Sequence, residues 1–140
     1  MNADLAKLIK AYGFDKINDH VTRGVASFTP QSIREYDQSK YVLSKINNPQ
    51  TSYPEAIKAM ESNNIYPANI YELLNWKGWD KQSMVVALDS QTSIDGVNYV
   101  PCITLEHFKE PDRYYTERRL SLIATNINWM GAMYFLGFKK

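Results

Sequence analysis

The side chains best placed for chemistry lie in one short segment, Glu106-His107-Phe108-Lys109-Glu110-Pro111-Asp112. Carboxylate oxygens and an imidazole nitrogen can together ligate a divalent metal, which would support hydrolysis. His107 and Glu110 would share one face of a helix, but Pro111 disfavours helical geometry at Glu110. We therefore interpret the segment as a polar loop that precedes a helix. A metal-dependent hydrolase built on Glu106, His107, Glu110 and Asp112 ranks third among the functions considered, and we expect no metal or other cofactor.

The other reactive residue types are few. Cys102 is the single cysteine and falls within a predicted strand, where such a residue usually serves as a small buried apolar side chain. The sequence contains no G-x-S-x-G, no G-x-x-x-x-G-K-[ST] and no G-x-G-x-x-G. These absences favour a protein that is not an enzyme.

Two sets of basic and aromatic residues are candidates for nucleic-acid binding. Bases can stack on tryptophan, while lysine and arginine neutralise phosphate. The candidate residues are Trp76, Lys77, Trp79, Lys81, Arg118 and Arg119. Predicted helices over residues 53–61 and 67–76, followed by a hairpin, have the order of a winged helix-turn-helix. The second of these helices has no lysine or arginine, however, which disfavours it as a recognition helix.

The charge of the whole chain is balanced. Sixteen Lys and Arg oppose fifteen Asp and Glu, so no long basic field exists to hold nucleic acid by charge alone. A winged-helix-like nucleic-acid-binding module therefore ranks second, behind a protein-binding function.

The predicted fold class is α+β. Apolar residues recur at helical spacing through most of the N-terminal half, and Ser52-x-x-Glu55 is a capping box that starts a helix. Residues from about 83 to 106 predict a small antiparallel hairpin or sheet, with Asp95-Gly96 at its turn. The sequence predicts a single domain over 1–140, with a possible helical N-terminal lobe at 1–48 and the remainder at 52–140.

A long C-terminal helix is predicted from the spacing of its apolar residues. Leu120, Ile123, Ile127, Met130 and Tyr134 recur every three or four positions. Further bulky side chains would cover most of the helix circumference, which suggests that one side packs on the chain and the other on a partner. The proposed partner-binding residues are Trp129, Met133, Phe135, Phe138, Tyr115, Arg118 and Arg119.

These patterns favour a small regulatory protein that binds a protein target or itself. Its composition is typical of a phage-type accessory protein, and we expect a homo-oligomer. The single cysteine fits the reducing cytoplasm. The first residues lack the pattern of a signal peptide, and no apolar run reaches the ~20 residues that a membrane-spanning helix needs.

Overall fold

Strands dominate the computed structural model, which describes residues 3–46, 50–78, 84–130 and 133–140. Within those residues the ten strands are β1 (Lys16–Ile17), β2 (Tyr41–Lys45), β3 (Gln50–Thr51), β4 (Ile65–Pro67), β5 (Met84–Val86), β6 (Thr92–Ile94), β7 (Val97–Glu110), β8 (Arg113–Ala124), β9 (Trp129–Met130) and β10 (Tyr134–Lys139). The four short helices are α1 (Ala3–Tyr12), α2 (Asp19–Gly24), α3 (Tyr53–Ser62) and α4 (Ile70–Asn75). Two 3-10 turns accompany them, Val25–Ser27 and Gln38–Lys40.

Eight strands form one mixed sheet. Its strand order is β1-β8-β7-β5-β10-β2, with β4 alongside β10 and β6 alongside β7. The β1–β8 and β5–β10 pairs are parallel, and the other pairs of this sheet are antiparallel. β3 and β9 form a separate antiparallel pair.

Apolar side chains cover both faces of the sheet. On one face Ile103, Leu120 and Leu122 belong to a buried cluster that also includes residues of α1, α2 and α4. On the other face Cys102 and Phe135 belong to a cluster that includes residues of α3 and β9. Removing these side chains from water on both sides is the main favourable contribution to folding.

The predicted long C-terminal helix is wrong, because that part of the chain forms β8, β9 and β10. In a strand that is buried on both faces, nearly all residues are apolar, and apolar and polar residues do not alternate. The run from Tyr134 to Phe138 is of this kind, with Leu136 packed on one face and Phe135 on the other. Spacing that resembles a helical stripe arises there by chance.

The mostly helical N-terminal half is also wrong. Residues 28–46 contain no α-helix, and Tyr41–Lys45 are instead strand β2, paired with β10. Tyr41 is aromatic and Val42 is β-branched, and both types suit the pleated surface of a strand. The description of the protein as helical therefore does not apply.

Two local predictions are confirmed. Ser52 is the N-cap of α3 and forms both hydrogen bonds of a capping box with Glu55. Asp95 and Gly96, with φ of 52° and 81°, form the two-residue turn between β6 and β7. Such a turn needs positive φ at both central residues, which Asp and Gly tolerate. None of the described helices is long and apolar enough to cross a membrane.

Candidate functional site

Strands β7 and β8 form a hairpin that extends past their pairing with the other described strands. Among the described residues, β5 pairs with β7 as far as Thr104, and β1 pairs with β8 from Arg119 onward. Residues 105–118, here called the arm, continue as two paired strands from Leu105↔Arg118 to Glu110↔Arg113. Within the described ranges no third strand pairs with the arm. At ~3.3 Å per residue, its six residue pairs extend about 20 Å.

The turn of the arm is Pro111-Asp112. Proline is favoured at the first central position of such a turn because its fixed φ matches the turn geometry. The Arg113 guanidinium closes the turn with an ion pair to Glu110 at 2.9 Å. The segment predicted as a loop before a helix is therefore the end of one strand and the turn into the next.

One face of the arm, here called the ladder face, is an interlocked set of charges and rings. Arg119, at its base, pairs with Glu117 at 2.8 Å and with Glu106 at 3.3 Å. The same guanidinium lies over the Phe108 ring, 5.3 Å from its centroid, and Phe108 stacks on Tyr115 at 5.1 Å. The hydrogen bond to Glu117 raises the pKa of the Arg119 guanidinium above its usual value.

Arg113 completes the ladder face by lying 4.7 Å from the Tyr115 ring centroid. Cation–π contacts and aromatic pairs of this kind are attractive. Their succession along one face stabilises the pairing of the two strands.

The opposite face, here called the basic face, carries no carboxylate. Alternation along the paired strands places there Leu105, His107, Lys109, Tyr114, Thr116 and Arg118. The Lys109 ammonium lies 5.6 Å from the centroid of the Tyr114 ring, whose residue is 76% exposed. The arm therefore separates its charges, with Glu106, Glu110 and Glu117 on one face and Lys109 and Arg118 on the other.

The residues considered for a metal site do not converge. Glu106 and Glu110 lie on the ladder face and His107 on the basic face, because neighbours in a strand point to opposite sides. Asp112 is in the turn. Both glutamates are paired with arginines. Among the residues that the structure describes, no group of three His, Cys, Asp or Glu could hold a metal ion.

Four of the seven proposed partner-binding residues are in the core. Trp129, Met133, Phe135 and Phe138 are all buried, and Phe135 is only 1% exposed. Trp129 packs edge-on against Tyr53 of α3 and donates its indole N–H to the Ala124 carbonyl at 2.8 Å. These four side chains belong to the chain's own core and stabilise its fold.

The other three partner-binding candidates are brought together at the arm. A helix would have placed Tyr115, Arg118 and Arg119 on one face. In the strand, Tyr115 and Arg119 lie on the ladder face and Arg118 on the basic face.

The winged-helix arrangement is not observed. Strand β4 separates α3 from α4, and all but the last residue of α4 is buried. That helix therefore has no side that could enter a groove of DNA. Of the nucleic-acid candidates, Trp76 is buried and Lys77 exposed, while Trp79 and Lys81 lie outside the described residues.

Sequence reasoning missed a buried ionic network between α4 and the loop after α2. The Glu72 side chain is 0% exposed and accepts from the Arg34 guanidinium at 2.7 Å and 3.1 Å. It also accepts the backbone N–H groups of Arg34 at 2.8 Å and of Asn69 at 2.9 Å. The pattern Asn69-x-x-Glu72, a capping box, could have indicated the bond between the Asn69 N–H and Glu72, but not the ion pair with Arg34.

Asp89 completes this network at 3.1 Å from Arg34, beside an open groove of about 330 Å³. Burial raises the pKa of Asp89, and the hydrogen bond to Glu72 raises that of Arg34. Because its charged groups pair with one another, we interpret the network as a structural interaction that holds the loop containing Arg34 to α4.

Cys102 has no environment that would activate it. The thiol is fully enclosed in the core, and burial raises its pKa to about 12. Only the thiolate is a nucleophile, and an enclosed thiol of that pKa supplies almost none at neutral pH.

No protein-family model matches this chain, and neither the curated proteins nor the solved structures include a significant match to it.

Proposed function

We propose that this chain is a non-catalytic binding protein that engages a partner protein through the arm. The observation that supports this most strongly is the arm's geometry, a hairpin of about 20 Å whose strands are joined by the contacts of its ladder face. Order that exists before binding reduces the entropy that association costs. Exposed tyrosine and arginine on such an element are the residue types enriched at protein interfaces.

The charge of the arm favours protein over nucleic acid. Residues 105–118 include three Lys or Arg and four Asp or Glu, so the arm is not basic overall. Arg113, and Arg119 at the base, are already paired with glutamates. Phosphate binding depends on many available cations, which the arm does not offer.

A separate target is favoured over self-association because the bulky C-terminal side chains are buried. The large apolar side chains that remain exposed are distributed among five parts of the described chain, and they are Ile17, Tyr36, Tyr66, Tyr114, Ile127 and Met130. Apolar residues exposed singly are normal on a monomer and do not predict an oligomer.

The test is an arm-shortened variant in which residues 107–116 are replaced by Asn-Gly. Glu106 and Glu117 would then flank a two-residue turn, the arrangement that Asn-Gly favours. A displayed library of random linear peptides is selected on the full chain, and the enriched peptides are measured by fluorescence anisotropy on both proteins.

We expect enriched peptides to bind the full chain and to lose at least about tenfold in affinity on the shortened one, the equivalent of ~1.4 kcal/mol. Equal binding to both proteins would overturn the proposal, as would a selection that enriches nothing over an unrelated bait. Arm-dependent binding of a mixed-sequence DNA duplex that weakens steeply with salt would instead support the nucleic-acid alternative.

A further inference from the structure

The outer edge of β8 is occupied in a regular pattern by residues that precede and follow β1. The backbone N–H of Asp15 donates to the carbonyl of Arg118 at 3.0 Å, and that of Asn18 to the carbonyl of Leu120 at 3.2 Å. The Nε2 atom of His20 lies 3.3 Å from both the N–H nitrogen and the carbonyl oxygen of Leu122. Arg118, Leu120 and Leu122 therefore direct their backbone polar groups away from β7.

The same alternation continues into the arm. In an antiparallel pair, every second residue directs its N–H and C=O outward, so Thr116 and Tyr114 follow Leu122, Leu120 and Arg118 in this register. Asp15 ends the occupied part of the edge, since its carboxylate accepts the N–H of Arg118 at 2.7 Å. In the described parts of the chain, nothing hydrogen-bonds the outward backbone groups of Thr116 and Tyr114.

We infer that this open edge is where the partner binds, and that the partner contributes an extended segment with acidic side chains at alternate positions. The inference rests on the proposed function and specifies its mode. The segment would add a strand beside Tyr114 and Thr116, continuing the line that β1 occupies along β8. Backbone hydrogen bonds would supply affinity and alternate side chains specificity, as in other cases of strand addition.

The acidic character follows from the charges of the basic face. Every second side chain of an added strand would lie on that face, beside Tyr114 and Thr116, on the side of the hairpin that also carries Lys109 and Arg118. The two Lys or Arg side chains that the arm places on this face, Lys109 and Arg118, are both positively charged. Opposite charges on neighbouring strands stabilise a sheet, whereas like charges destabilise it.

A second copy of the chain fits the edge less well. If two β8 edges paired antiparallel about a two-fold axis perpendicular to the sheet, both basic faces would lie on the same side of the joined sheet. Lys109 and Arg118 of one copy would then share a surface with those of the other, which is unfavourable.

The decisive variant is Thr116→Pro, with Thr116→Val as its matched control. Proline removes an N–H that points away from β7, so the β7–β8 hydrogen bonds remain and only the outer edge is blocked. Valine keeps that N–H and changes only the side chain. The probes are the peptides enriched in the library selection, together with versions of them N-methylated at alternate backbone positions.

We expect Thr116→Pro to weaken peptide binding at least about tenfold, as the loss of one or two hydrogen bonds would, and Thr116→Val to leave it nearly unchanged. N-methylation at one set of alternate positions should abolish binding on the unmodified protein, which gives an answer even if the proline variant folds poorly. The enriched sequences should carry Asp or Glu at every second position.

Each contrary result separates this inference from the proposed function. Peptides that need the arm but tolerate both Thr116→Pro and N-methylation would overturn strand addition and leave arm binding standing. Enrichment of basic peptides would overturn the acidic partner. Concentration-dependent dimerisation in light scattering, lost in Thr116→Pro, would make a second copy the occupant instead. A selection with no arm-dependent peptide would remove the proposed function itself.

Discussion

The carboxylate of Asp15 accepts the backbone N–H of Arg118 at 2.7 Å, and the N–H of Asp15 returns a bond of 3.0 Å to the Arg118 carbonyl. These two residues are 103 positions apart in sequence, yet together they mark where the chain stops covering the edge of its own sheet. From this point to the turn at Pro111-Asp112, the outer side of β8 is open among the described residues. Partner binding is proposed at that open stretch.

Arg34→Ala should destabilise the protein by about 3 kcal/mol or more, because it leaves the Glu72 carboxylate buried without its cation. Urea unfolding provides the measurement. Arg23→Ala is the matched control, since its ion pair with Asp95 is exposed and should contribute about 0–1 kcal/mol. Equal effects of the two substitutions would contradict a structural role for the network.

Gly137→Ala should destabilise the fold by roughly 1–3 kcal/mol through overpacking. A Cβ at this position would lie 2.5 Å from the Tyr66 carbonyl oxygen and 2.5 Å from Ile65 Cγ2, where β4 pairs with β10. The melting temperatures of Gly137→Ala and Gly13→Ala are compared by thermal unfolding. At Gly13 an added Cβ has no atom within 4 Å, so only the positive φ of 78° disfavours alanine. If Gly137→Ala proved as stable as the native chain, the close approach of β4 would be incorrect.

Alkaline pH should destabilise the chain through Cys102. Burial raises the pKa of this thiol from 9.0 to about 12, so the unfolded chain loses its proton first. The resulting stability is fully present below about pH 9 and is lost as pH rises toward 12. Between about pH 8 and about pH 10, the native chain should lose ~1.4 kcal/mol more than Cys102→Ala.

The pH range from about 8 to about 10 lies largely below the titration of Tyr41. Burial raises the pKa of Tyr41 as well, from 10.0 to about 12. Urea unfolding at the two pH values measures the difference. Parallel stability curves for the native chain and Cys102→Ala would show that the thiol is not enclosed as described.

Local signals in the sequence predicted local structure correctly. The Ser52-Glu55 capping box and the Asp95-Gly96 turn each depend on backbone geometry within four residues, so the residue types alone indicate them. Cys102 was likewise predicted to be a buried strand residue, and it is.

The long-range arrangement could not be predicted in the same way. β10 is covered on both faces, so Phe135 and Leu136 are equally apolar and the alternation that reveals a strand disappears. The arm was missed because its ladder face depends on cross-strand pairs such as Phe108 with Tyr115, which only the hairpin register brings together. The network at Glu72 depends on Arg34, 38 positions away.

The most direct test of the open edge is residue-resolved amide hydrogen exchange of the free chain, measured by NMR. The N–H groups of Tyr115 and Glu117 bond to β7 and should exchange slowly, whereas those of Tyr114 and Thr116 should exchange at nearly the rate of an unstructured peptide. Arg118, whose N–H the Asp15 carboxylate accepts, should be protected again. Slow exchange at Tyr114 and Thr116 would show that the edge is already covered and would contradict its role as a partner site.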